Sequence, residues 1–70
     1  MPEVLAEMVA NVWRVLVAPG DAVGEGDPLA ILESMKMEIP VVSPVTGVVL
    51  EVRVQEGGVV QDGDVIAVVE

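Results

Sequence analysis

The sequence predicts an all-β sandwich made of two similar halves with quasi-twofold symmetry and no helix. Three observations carry that expectation: a valine-rich composition that is 53% apolar yet holds one aromatic residue, an internal repeat, and regular glycine and proline punctuation. Valine is stiff at χ1 and fits a pleated surface better than a helix. Sliding the chain against itself by 37 positions aligns Val12 to Glu33 with Val49 to Glu70, with nine identities in 22 positions. Pro2, Pro19, Pro28, Pro40 and Pro44 leave few windows in which a helix could run.

The elements follow from the repeat in order. In the second copy Leu50, Val52 and Val54 alternate with Glu51, Arg53 and Gln55, the period of a half-buried strand. Carried to the first copy, that parity points Trp13, Val15 and Val17 inward and Arg14 outward, so Trp13 reads as a core or core-edge residue. Each of these strands stops at a glycine turn, Pro19-Gly20-Asp21 or Glu56-Gly57-Gly58. A short crossover containing Val23 or Val60 leads to a second turn at Gly26-Asp27 or Gly63-Asp64. The closing strands, Leu29 to Glu33 and Val65 to Val69, are nearly continuous apolar runs. With about four strands per half, each copy is expected to supply both sheets and cover the other's edges. The link between the halves then reverses at one end, and the termini meet at the other.

Size and charge narrow the function. Seventy residues make one domain, 1–70, and without cysteine or histidine it has neither disulfides nor an evident metal site, so apolar packing must hold it. A formal charge of −9, with Arg14, Lys36 and Arg53 scattered, repels phosphate backbones and excludes nucleic acid as a partner. No apolar run reaches the roughly 18 residues of a membrane span, and the amino terminus lacks the pattern of a signal peptide. A cytoplasmic location is expected. Ser34, Ser43 and Thr46 have no base to activate them, so the chain is not expected to be an enzyme.

What remains is the link Glu33-Ser34-Met35-Lys36-Met37-Glu38-Ile39-Pro40, which carries the sole lysine between two methionines. A methionine pair bracketing a charge at a reversal cannot be wholly interior, because burying both would drag the lysine in. Here Ser34-Met35-Lys36-Met37 resembles the biotinyl domains of biotin-dependent carboxylases and transcarboxylases, whose attachment site reads A/S-M-K-M on a β-hairpin. The resemblance runs through the whole chain, including Pro44 to Gly47, and extends to free-standing biotin/lipoyl attachment proteins, in which Glu-Ser-Met-Lys-Met-Glu-Ile-Pro also occurs. One departure is Glu7-Met8-Val9-Ala10, where many members have Pro-Met-x-Gly.

The resemblance implies a flattened eight-stranded barrel-sandwich hybrid with the attachment hairpin at residues 34–38. It implies that biotin protein ligase joins biotin to Lys36, and that the domain then carries carboxylate from a biotin carboxylase to a carboxyltransferase. Met35 and Met37 would be the flanking recognition motif, with Glu33, Ser34 and Glu38 available for ligase recognition. The amine must be neutral to attack, and no neighbour in sequence would deprotonate it, so activation is expected from the ligase. Related lipoyl domains use the same fold and typically carry D-K-A at the hairpin, which makes a lipoyl carrier the alternative to biotin. An unmodified β-sandwich interaction module is the alternative from another class.

Overall fold

The computed structural model describes residues 2–70 and contains eight strands: β1 (Glu3–Leu5), β2 (Ala10–Val15), β3 (Ala22–Val23), β4 (Pro28–Ser34), β5 (Met37–Val42), β6 (Gly47–Val52), β7 (Val59–Val60) and β8 (Val65–Val69). Among the described residues there is no helix, and none therefore is long and apolar enough to cross a membrane. The strands form two antiparallel sheets, ordered β1-β8-β6-β3 and β5-β4-β2-β7, which face each other without closing into a barrel. The expected flattened, all-β sandwich is what the chain forms.

A shift of 37 residues carries β2 onto β6, β3 onto β7 and β4 onto β8, and it carries β1 onto the last three residues of β5. Each sheet thus takes two strands from either half. Hydrogen bonds obey the same relation: Ala6 N–H donates to the Asp64 carbonyl at 2.8 Å, and Ser43 N–H donates to the Asp27 carbonyl at 2.8 Å. Gly20 and Gly57 donate to Val49 and Val12, at 2.8 and 2.9 Å. All four bonds cross from one half to the other. The Gly-Asp turns earn their repetition through Asp27 and Asp64, whose carboxylates accept from Gly24 N–H and Gln61 N–H at 2.8 Å each. Gly26 and Gly63 sit beside them at φ +87° and +92°, where a Cβ would be strained.

The core lies between the sheets and follows the same symmetry, with Val12, Leu29 and Leu32 buried like their counterparts Val49, Ile66 and Val69. Two pairs of bulges shape it. Val12 faces Leu32 and Arg14 faces Ile31, so Trp13 is an extra residue in β2; Leu50 is extra in β6 in the same way. A bulge interrupts strict alternation. Trp13 is therefore 43% exposed and Leu50 40%, contrary to the inward positions expected from parity. Val12 and Val49 take the inward place, while Val15, Val17, Val52 and Val54 do pack against the core. The Arg14 guanidinium lies 5.1 Å from the centroid of the outward Trp13 ring. The other bulges place Leu29 and Ile66 as extra residues, which lets Leu29-Ala30 and Ile66-Ala67 both turn inward as consecutive pairs.

The ends of the described chain are neighbours, since β1 pairs with β8 and Val69 N–H donates to the Pro2 carbonyl at 3.0 Å. Glu70 and Val48 exchange both backbone hydrogen bonds, at 2.7 and 2.8 Å. This approach explains Gly47, where an added Cβ would overlap the Glu70 carbonyl. Its counterpart in the first half is Ala10, which keeps its Cβ and is buried, so the missing first glycine is accommodated.

Gly47→Ala should cost about 1–3 kcal/mol, the range for forcing atoms into filled space, read as a lower midpoint in chemical denaturation. Leu32→Ala should cost about 2–5 kcal/mol, whereas Trp13→Ala should cost less than about 1 kcal/mol. Equal losses at Leu32 and Trp13 would contradict the outward bulge.

Candidate functional site

Residues 33–38 form the reversal between β4 and β5. Glu33 pairs with Glu38 and Ser34 with Met37, which leaves Met35 and Lys36 as a two-residue loop. Both have positive φ, +53° for Met35 and +65° for Lys36. That sign pattern belongs to the type I′ turn, whose twist matches the right-handed twist of its flanking strands. Among the described residues these two are the only non-glycine positions in the left-handed region. Asparagine and glycine normally fill such a loop, and bulkier residues there cost on the order of 1 kcal/mol each or more. The cost is borne because the strands over-determine the turn: Leu32, buried, stands opposite Ile39, and Ile31 stands opposite Pro40.

The tip is open to solvent. Met35 is 92% exposed and Met37 61%, while Lys36, Glu33 and Glu38 are exposed and Ser34 is half-buried. Among the described residues the salt bridge present joins Arg53 to Glu51, and no carboxylate pairs with the Lys36 amine. Glu33 and Glu38 face each other across the hairpin, a like-charged pair that disfavours the rung and keeps negative potential beside the amine. A groove of about 450 Å³ runs along β1 and β5 past Leu5, Met8 and Val42, and it includes none of residues 33–38. No group of acids with metal-binding geometry occurs among the described residues.

All six residues singled out by sequence are thus brought together on one hairpin. Their arrangement presents a single amine, held by backbone geometry rather than by side-chain contacts, to a partner arriving from solvent. The hairpin lines no part of the groove beside β1 and β5, and what it offers chemically is an exposed primary amine, a nucleophile once it has lost its proton. Sequence reasoning did not reach the left-handed turn or the facing acids. Met-Lys carries no turn signal of its own, and the pairing of Glu33 with Glu38 becomes visible only once the loop length is known.

Comparison with known proteins bears on this geometry. The chain is 55% identical over 67 residues to a "Biotinylated protein TB7.3 homolog" of Mycobacterium leprae, covering 96% of this chain and 94% of that one. It is 50% identical over 60 residues to a "Biotin/lipoyl attachment protein" of Bacillus subtilis, covering 86% of this chain and 82% of that one. Among solved structures, the urea carboxylase of Kluyveromyces lactis superposes with a TM-score of 0.92 at 32% identity, over 99% of this chain and 6% of the carboxylase. A family model described as "Biotin-requiring enzyme" matches residues 1–69, and with the lysine-tipped hairpin of a two-sheet sandwich this makes the chain a member of the biotin/lipoyl attachment family.

Proposed function

We propose that the chain is a biotin carboxyl carrier: biotin protein ligase acylates Lys36 with biotin, and residues 1–70 act as one non-catalytic carrier domain. The observation that supports this best is the sole lysine of the chain standing exposed at the centre of a left-handed turn. The cofactor fits that residue by the chemistry of its donor, an unpaired primary amine with no competing lysine. In the attachment step Lys36 Nζ attacks the acyl carbon of biotin activated as its adenylate. An amide forms as the bond from the acyl carbon to the phosphate oxygen breaks, AMP leaves, and the amine loses its proton and its charge. Bound biotin supplies a ureido nitrogen that accepts carboxylate at a biotin carboxylase and releases it at a carboxyltransferase.

The chain's own part is positional. Twelve acids against three bases leave the domain soluble and unattractive to nucleic acid, and its lack of cysteine suits the cytoplasm. A folded carrier holding one arm turns each transfer into an encounter at high effective concentration. Met35 and Met37 offer polarizable apolar surface beside the arm, able to repack against ligase, carboxylase and transferase in turn. Glu33, Ser34 and Glu38 provide the polar contacts that distinguish this tip from other exposed lysines.

Incubated with biotin protein ligase, biotin and ATP, the protein should gain the mass of one biotinyl group and bind avidin. Lys36→Ala should do neither. A lipoyl mass gained with a lipoate ligase, in place of biotin, would instead identify a lipoyl carrier, and no gain with either enzyme would leave an interaction module. Replacing Met35-Lys36 by Asn-Gly should raise stability by about 1 kcal/mol in chemical denaturation while abolishing modification, because the turn then holds residues suited to positive φ.

A further inference from the structure

Two thioethers bracket the exposed amine, and the backbone keeps both in solvent. Met35 sits beyond the last rung of the hairpin, Ser34 with Met37, at a left-handed position where it is almost wholly exposed. Met37 begins β5, which is an edge strand. The buried core, by contrast, consists of valine, leucine, isoleucine and alanine and contains no methionine. Oxidation of a core methionine disrupts packing by placing a polar oxygen inside. Here the same chemistry would leave the core intact and alter only the surface that the hairpin offers. Met8, 39% exposed between β1 and β2, is an internal reference away from the tip.

We propose that Met35 and Met37 form a reversible sulfoxidation site through which peroxide slows enzymatic acylation of Lys36. In each event the thioether sulfur takes one oxygen atom from hydrogen peroxide; the O–O bond breaks, the sulfur is oxidised by two electrons and water is released. A thiol-dependent methionine sulfoxide reductase reverses the change, returning the thioether and a second water at the expense of two thiols. Formal charge stays constant and the amine is untouched. What changes is polarity, because a strong acceptor now stands on either side of Lys36. A ligase surface that packs against thioethers must then bury an unpaired sulfoxide oxygen, which is costly. The oxidation itself stands on exposure alone, and its effect on acylation rests on the carrier reading.

The test titrates the intact protein with hydrogen peroxide and maps oxidation by peptide mass spectrometry, then measures biotinylation by biotin protein ligase. Met35 and Met37 should be oxidised before Met8, with the folded circular dichroism spectrum retained. Ligase-catalysed biotinylation should fall about tenfold, the factor for leaving one buried polar group unpaired, and recover after treatment with sulfoxide reductases. Reaction of Lys36 with an amine-reactive biotin ester should be unchanged, which assigns the loss to recognition. In a Met35→Leu, Met37→Leu double variant, peroxide should cause no change relative to the same variant left untreated. Faster oxidation of Met8, or unchanged ligase rates on protein oxidised at both tip methionines, would overturn the proposal alone. Failure of the ligase to act on reduced protein would overturn the carrier reading and the gating with it.

Discussion

Backbone hydrogen bonds passing between the halves are the constraint on which this small domain depends. A half of about 35 residues cannot bury enough surface to stand alone, and each half here has strands whose partners lie in the other. Ala6 reaches Asp64 and Ser43 reaches Asp27; Gly20 reaches Val49 and Gly57 reaches Val12. Because these bonds come in symmetric pairs, they place matched residues such as Leu29 and Ile66 in one shared core. The acids at Asp27 and Asp64 and the positive φ of their preceding glycines then serve the same end, holding turns that deliver each chain segment to the opposite half.

The hairpin is the place where the symmetry is spent on something else. Under the 37-residue relation the counterpart of the β4–β5 turn is the gap between β8 and β1, where the chain has its ends. One location closes in a tight loop, and at the other β8 and β1 lie side by side as an antiparallel pair. Stability would be served by asparagine and glycine in that loop, yet it holds methionine and lysine in left-handed conformations. Two residues in left-handed conformations, one of them the sole lysine, thus stand on strands rooted by Leu32 and Ile39, which hold the loop against its local preference.

Much of this was legible in the sequence, because repeat, turn residues and valine enrichment all point to the same architecture. The paired glycines at 20 and 57 and at 26 and 63 mark real left-handed turns. Trp13 and Leu50 depart from the inward positions that alternation predicts for a physical reason: period two assumes an uninterrupted ladder, and each occupies a bulge. A trace of the bulge was present in the spacing of the shared valines, three residues from Val12 to Val15 and then two to Val17, repeated at Val49, Val52 and Val54. The position of Lys36 at a reversal could be anticipated from its place between the halves. The left-handed geometry of Met35 and Lys36 could not, since local propensity argues against it and only the pairing of β4 with β5 enforces it.

The pairing of β1 with β8 carries a mechanical consequence. Glu3 lies beside Val68 and Pro2 beside Val69, so the two ends of the sandwich leave it side by side from antiparallel strands. Tension applied through both ends therefore loads one rung at a time and peels the strands apart, whereas strands pulled from opposite ends would share the load in shear. The hydrogen bond from Val69 N–H to the Pro2 carbonyl is the first rung to be loaded, while Glu70, clasped to Val48 beneath Gly47, anchors the other side of β8 to β6.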